Sequence, residues 1–357
     1  MNAVLPIGIG AGGAIVRVQA IGDDPAAVAQ ADRYARAHPA GTPFHLSDWN
    51  LAVCTGCGQV PHLLGAYRGE VLVGILPLTE VHSPLFGRAL ASTGFAVSGG
   101  ILADDDRSGQ ALADAALALA ERLSCPSVEL RGGWLPAGWH RDDATYLGFT
   151  RPIAADDATE LLAIPRKQRA EVRRALGLDL TVTTASDARA RADHHAVYAT
   201  SVRNLGTPVF PAALFAAVLD RFGEDADILT VHHDGRPVAS VLSLYHQGVV
   251  MPYWGGGTGE ARSLRANDLM YFALMRHARA RGCATFDFGR SKAGTGAAAF
   301  KRNWGFAGQP LSYAVSGAAP RAINPLDPKY QAKIALWKRL PLPVANRIGP
   351  WIARGLG

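Results

Sequence analysis

The sequence predicts an α/β protein made of two similar domains with mixed sheets. Three observations predict it. One order of elements, hairpin then strand then helix then strand, occurs twice about 160 residues apart. Each copy alternates short β-branched runs with one alanine-rich helical run, as mixed α/β layers require. At 357 residues, 48% hydrophobic and 18% charged, the chain is globular and too long for one ordinary core.

The first copy opens on HLLGAYRGEVLVGILPLTEV (62–81), which reads as two strands about a turn at Arg68-Gly69. The second opens on DILTVHHDGRPVASVLSLYH (227–246), which turns at Asp234-Gly235. Glycine-marked stretches follow, STGFAVSGGILADDD (92–106) and VVMPYWGGGTGEARS (249–263). Next come the helical runs GQALADAALALAERL (109–123) and NDLMYFALMRHARARG (267–282), then the short strands SVELRG (127–132) and ATFDFGR (284–290). Two copies of a unit this long are paired domains, not a solenoid. The expected domains are 1–160 and 183–318. A linker at 161–182 joins them: Pro165 suits a first helical position, Gly177 a helix stop, and Leu180-Thr181-Val182 begins a strand. A basic tail occupies 319–357.

Charge is concentrated. The formal charge is +6, and from Arg321 onward seven cations face a single acid, Asp327, so the first 320 residues are neutral overall. The tail interleaves Trp337 and Trp351 with those cations. It reads either as a segment lying on an anionic membrane surface or as one packed on the protein with its cations in water. No apolar run reaches the roughly 18 residues of a membrane span. The start, MNAVLPIGIGAGGA, lacks the positive region of a secretory signal, so the expected location is cytoplasmic, with the tail allowing a peripheral place at the inner membrane face.

Four cysteines occur. Cys54 and Cys57 form a lone CxxC with neither a second pair for zinc nor a thioredoxin-like context, so no catalytic role is expected. His194-His195 and His232-His233 lack partners at ligand spacing, and Asp104-Asp105-Asp106 reads as a loop leading into a helix. No metal is expected.

The most charged stretch near the end is FDFGRSKAGTGAAAFKRNWGF (286–306). Asp287 and Phe288 are expected to end a strand, Gly289 to turn the chain, and AAAFKRNW to form a helix. Arg290, Lys292, Lys301 and Arg302 crowd this stretch; Lys301 and Arg302 also fit the solvent face of a helix whose Phe300 and Trp304 face a core. In ARSLRANDLMYF (261–272), Arg262 and Arg265 precede a helix with Asn267 or Asp268 as N-cap, an arrangement suited to an anion. In PYWGGGT, Tyr253 and Trp254 precede Gly255, Gly256 and Gly257, which either admit a ligand to the backbone or mark a bulge. In SVRNLGTPVF, Arg203 and Asn204 are expected on a loop ended by Gly206 and Pro208. Arg166, Lys167, Arg169, Arg173 and Arg174 surround the linker helix, where they read as a solvated run, as the lining of an interdomain cleft or as a surface for an RNA acceptor stem.

The doubled order of elements resembles tandem acyltransferase domains of the GNAT superfamily, as in the FemAB family. The local motifs are similar to FemAB-like proteins of exosortase/PEP-CTERM systems over nearly the whole chain. They are ILPLTEVHSPLFG (75–87), AIPRKQRAEVRRAL (163–176), SVRNLGTPVF (201–210), PYWGGGT (252–258), RANDLMY (265–271), FDFGRSKAGTG (286–296), FKRNWGF (300–306) and WKRLPLPVANRIGP (337–350). The resemblance implies transfer of an acyl or aminoacyl group to an amine, with an envelope or exopolysaccharide precursor, glycan or peptide, as acceptor. It implies a donor site at Arg262, Arg265, Asn267, Asp268, Arg290, Lys292 and Phe300. It implies Lys301 as the lysine beside the reacting centre. Asp287 reads either as an orienting partner of Arg290 or Lys301 or as acceptor of the amine's proton, and Tyr271 either as proton donor to the leaving group, as a helix tyrosine is in many GNAT proteins, or as a buried core residue. The acceptor side falls to Arg203, Asn204, Tyr253, Trp254, Gly255 and Gly256. The GNAT coenzyme A loop has the form Arg/Gln-x-x-Gly-x-Gly/Ala, and Arg265 stands where its first glycine belongs. A side chain there would crowd a pyrophosphate, so the co-substrate stays open between acyl-CoA and aminoacyl-tRNA, neither tightly bound, and no DNA partner is expected. The alternative is a GNAT-fold module that binds anionic lipid, glycan or RNA without catalysis.

Overall fold

A computed structural model describes residues 15–317 and 328–355. The N-terminal stretch read above for a signal, and the start of the basic tail with Arg321 and Asp327, lie outside the described residues. The chain divides into two compact units.

The first unit runs to Asp143 and takes back a segment that begins at Ser312. Its elements are β1 (Val16–Ala20), α1 (Pro25–Ala37), α2 (Ser47–Cys57), β2 (Val60–Arg68), β3 (Val71–Ser83), β4 (Gly87–Ser92), β5 (Leu102–Ala103), α3 (Asp106–Arg122), β6 (Ser127–Arg131) and β7 (His140–Asp142). The second runs from Ala144 to Leu311 and includes the helices at 328–353. It holds β8 (Tyr146–Pro152), α4 (Asp157–Ala163), α5 (Arg166–Leu176), β9 (Thr181–Ala185), α6 (Ala188–Leu205), α7 (Ala212–Phe222), β10 (Ala226–His233), β11 (Arg236–His246), β12 (Val249–Gly257), α8 (Ala266–Ala280), β13 (Thr285–Lys292), α9 (Gly296–Asn303) and β14 (Gly308–Pro310). β15 (Tyr313–Gly317) belongs to the first unit, and α10 (Pro328–Arg339) and α11 (Leu342–Ala353) belong to the second.

Both hairpins form where the sequence places them. Gly69 takes φ 63°, and Asp234 and Gly235 take φ 48° and 71°, the left-handed pair that a two-residue hairpin turn needs. The doubling is real in three dimensions. β2–β3–β4–α3–β6 and β10–β11–β12–α8–β13 follow one plan, each with two antiparallel pairings and then a parallel pair, β4 with β6 and β12 with β13. β1 and β9 add an antiparallel edge strand to each copy. Asp side chains cap the helices that follow loops: Asp105 accepts from the Ser108 amide at 2.8 Å, and Asp187 from the Ala190 amide at 2.9 Å. Each sheet buries one face under its crossover helix, α3 with Leu112 and Ala116, α8 with Met270 and Leu274.

The sheets correct the expected boundary at 160. In the first, the order is β1-β2-β3-β4-β6-β15-β7; in the second, β14-β8-β13-β12-β11-β10-β9. β8, expected in the first domain, lies against β13 of the second sheet, and β15, from beyond the second sheet's strands, lies between β6 and β7. The 161–182 segment is no free linker. Its helix α5 buries Gln168, Val172 and Ala175 against the second unit and leaves Arg166, Lys167, Arg173 and Arg174 in water.

Candidate active site

The second sheet opens in its middle. The parallel ladder between β12 and β13 covers Val249↔Thr285 and Val250↔Phe286 and then stops, although β12 continues to Gly257 and β13 to Lys292. From there β12 stays with β11 and β13 stays with β8, so the two strands part. Backbone groups of β12 that point into the gap have no strand across from them, and a buried backbone donor needs a partner. Irregularities accompany the parting. β11 and β12 slip register between Leu242 and Ser243, and β13 slips against β8 between Asp287 and Arg290. The strand therefore does not end at Phe288. It bulges at Gly289, whose φ of 66° favours glycine, and continues to Lys292.

Tyr271 stands at the gap. Its ring meets Phe288 of β13 at 4.7 Å, and its hydroxyl lies 3.5 Å from where a Cβ on Gly255 of β12 would sit. Phe300 and Trp304 at 5.8 and 6.0 Å complete an aromatic cage. Each such tilted or edge-to-face pair contributes about 0.5–1.5 kcal/mol beyond its area, so the ring's position is well determined. Burial, with the Asp268 carboxylate adding to it, pushes the Tyr271 phenol up to about 12. It stays protonated at neutral pH.

Lys301 serves the bulge. Its Nζ donates to the carbonyl oxygens of Gly289 and Arg290 at 3.1 and 2.9 Å and lies between the rings of Phe149 and Phe288. Burial lowers its pKa to about 8, with Asp287 opposing and Arg290 reinforcing the shift. Asp287 folds back to accept from the Gly289 amide at 2.8 Å, and burial raises its carboxyl. Lysine and aspartate thus hold one bulge from two sides. Arg290 and Lys292 turn elsewhere, onto Tyr146 of β8 at 4.7 and 5.7 Å from its ring centre. The four cations of this stretch therefore separate: Lys301 at the bulge, Arg290 and Lys292 at Tyr146, Arg302 exposed.

The start of α8 departs from expectation. Neither Asn267 nor Asp268 is the N-cap. Helix begins at Ala266, capped by Arg265 in the left-handed conformation, φ 54°, with no side-chain cap. That backbone is the one a glycine would adopt freely and an L side chain adopts at a cost of about 1–2 kcal/mol. The arginine side chain turns onto Glu171 of α5 as an ion pair. Asp268 accepts from the Gln168 amide, and burial raises its carboxyl. Arg262 is exposed, and its carbonyl accepts from Arg265 at 3.0 Å. Beside Gly257, Asn267 Oδ1 is buried without a hydrogen bond among the described residues, and so is Thr258 Oγ1.

The glycines of β12 follow the register slip that the bulge reading expects, and two of them also let helices close on the strand. A Cβ on Gly256 would lie 2.4 Å from Ser201 Oγ of α6, and one on Gly257 would lie 2.7 Å from both Ala261 and Asn267. A Cβ on Gly255 would lie 3.0 Å from Val241 of β11 and 3.5 Å from the Tyr271 hydroxyl. Trp254 is buried with Phe215 at 5.0 Å and Tyr253 at 4.7 Å, inside the α6–α7 layer. Arg203 and Asn204 are not on a loop; they form the last turn of α6, which Gly206 closes in the left-handed conformation. Arg203 donates to the carbonyl of Lys338 at 3.2 Å and so fastens α10.

Sequence reasoning missed Tyr146 and Phe149, the aromatic partners of the cations, because it gave β8 to the other domain. The alternation in YLGFT (146–150) carried the signal of a half-buried strand. It also missed Gln168 and Glu171, which tie α5 to the start of α8. The remaining polar motifs are structural. His194 is fully buried with Nδ1 2.9 Å from Ser240 Oγ, and burial lowers its pKa to about 3. Cys54 and Cys57 are buried on α2, and burial pushes both thiols up to about 12, far from thiolate chemistry.

Residues 165–302 match the family described as acetyltransferase (GNAT) domain. No curated protein matches the sequence. Among solved structures, FemX is 15% identical with a TM-score of 0.64, covering 87% of this chain and 98% of that one. A tandem GNAT protein from the clavulanic acid biosynthesis pathway is 15% identical with a TM-score of 0.53, covering 86% and 100%. The C-terminal domain of a candidate lysylphosphatidylglycerol synthetase from Agrobacterium fabrum is 14% identical with a TM-score of 0.55, covering 87% and 95%. The fold is that of a tandem GNAT protein.

Proposed function

We propose that the chain is a FemAB-like N-acyltransferase that moves an acyl or aminoacyl group onto an amine of a cell-envelope or exopolysaccharide precursor in an exosortase/PEP-CTERM setting. The observation that carries this reading is the opening between β12 and β13 with the Tyr271 hydroxyl at its mouth. A carbonyl laid along the free edge of β12 meets backbone N–H groups there, which stabilise the oxyanion that develops as an amine attacks. The C–N bond forms, and the bond to the donor's sulfur or ribose oxygen breaks. Tyr271 gives its proton to that leaving atom and recovers one from the new ammonium, a relay suited to a phenol held protonated at neutral pH. Lys301 and Asp287 keep the far wall of the opening in shape by holding the bulge at Gly289. They are positioning residues in this scheme.

The unpartnered Asn267 Oδ1 and Thr258 Oγ1 mark the start of α8 as the place for the donor's polar end. Because Arg265 keeps the backbone a glycine would have and turns its side chain onto Glu171, the crowding expected against acyl-CoA is relieved. Acyl-CoA and aminoacyl-tRNA both remain donors of this reading. Similarity to FemX and the GNAT domain match support amine acylation; the pathway rests on the sequence motifs alone.

The test is a transfer assay with acetyl-CoA and with an aminoacylated RNA minihelix against amino-sugar and peptide amines, read by product mass. Tyr271→Phe keeps the ring and removes the proton, and should lower kcat by about a hundredfold or more while the thermal transition holds. An unchanged kcat in that variant contradicts the relay, and no product from either donor contradicts the activity.

A further inference from the structure

The last helix of the chain is packed inside out. α11 turns its small residues inward: Ala345 and Ala353 are buried, and a Cβ on Gly349 would lie 3.0 Å from Val209. Three of its large apolar residues face water, while Leu342 and Ile352 are half-buried. Val344, Ile348 and Trp351, spaced four and three residues apart on one face, are 44%, 39% and 47% exposed, and Leu336 on α10 is 66% exposed. A helix normally buries such a stripe, because each large apolar side chain left in water forgoes about 1.5–3 kcal/mol.

Charge says what the stripe is for. Residues 328–353 contain five cations, Lys329, Lys333, Lys338, Arg339 and Arg347, and no acid. Lys333, Lys338, Arg339 and Arg347 are exposed. The pair of helices is fixed in place, since Arg203 fastens the end of α10 and Gly206 lets Ile334 pack close. Each helix has 12 residues, about 18 Å, and no helix among the described residues is long and apolar enough to cross a membrane.

We propose that α10 and α11 form a docking surface for an anionic lipid bilayer, with Val344, Ile348 and Trp351 entering the headgroup–acyl boundary and the cations meeting lipid phosphates. A second copy of this chain is disfavoured as the occupant, because two acid-free basic faces repel each other. RNA would use the cations and leave the apolar stripe unexplained. The surface is independent of the acyl-transfer chemistry: its loss leaves turnover on a soluble amine unchanged.

The experiment is co-sedimentation of the full chain with vesicles of phosphatidylcholine alone and of phosphatidylcholine with phosphatidylglycerol. Binding is expected to the anionic vesicles and to weaken with salt. The variant Lys338→Gln/Arg339→Gln/Arg347→Gln should bind on the order of a hundredfold more weakly, at about fivefold per cation. Ile348→Ser/Trp351→Ser should lose binding with an unchanged thermal transition. Should a charge variant misfold, the salt titration of the wild-type chain carries the same test. Equal binding to both vesicles, or none, overturns the proposal. So does a lipid-free dimer that Ile348→Ser/Trp351→Ser dissolves, or binding of single-stranded RNA without binding of vesicles.

Discussion

At the scale of single residues, burial sets the protonation of the two groups nearest the opening in useful directions. Tyr271 is held as a phenol, and Lys301 is brought within reach of losing its proton. The lysine has a consequence for stability. Its folded pKa is about 8 and its ordinary value 10.5, so between these the unfolded chain binds more protons and stability rises with pH. Below about pH 8 the cost of burying the charge is present in full. The unfolding free energy of the wild type relative to Lys301→Met should therefore climb from about pH 8 to about 10.5 and be flat below, as read by denaturant titrations across that range. A flat difference throughout contradicts the burial of this ammonium. Asp287 and Lys301 were each legible as site residues in the sequence, though Arg290 was as good a partner for the acid. Their duty to the backbone was not, because it depends on a bulge that no residue type announces.

Among the elements, β12 shows how one strand serves two helices and a gap. Gly256 faces α6 and Gly257 faces Asn267 of α8, while a Cβ on Gly255 would press on Val241 of β11, so the glycines relieve packing on more than one side. Gly256→Val drives a branched side chain into Ser201 and should cost about 1–3 kcal/mol by overpacking, seen as a lowered denaturant midpoint with an unchanged slope. A neutral substitution would show that α6 does not bear on the strand. Hairpins, crossover helices and their order were readable because turn glycines and helical alternation are local signals. The start of α8 was misread for a definite reason. Asn267 and Asp268 have the chemistry of N-caps, yet Arg265 takes the left-handed position and its side chain pairs with Glu171 on another helix. That tertiary contact is not written in the local sequence.

On the scale of the whole chain, the two units share a plan but not a boundary in sequence. β15 returns to the first sheet from beyond the second, and β8 enters the second sheet from before it. Repeats in the sequence disclosed the doubled core, whereas these strands lie outside the repeated unit and carry no mark of which sheet they join. β8 flanks β13 on its other edge, both where β13 pairs with β12 and beyond, so the parting opens inside the second sheet and not at its rim. On the function proposed above, an acyl donor occupies that parting. Hydrogen exchange of the β12 amides from Met251 to Gly257, with and without saturating acetyl-CoA or an aminoacyl-RNA analogue, tests it most directly. Slowed exchange in that segment on addition of one donor is the result predicted. Donor binding that leaves those amides exchanging as before, or no binding of either donor, would contradict it.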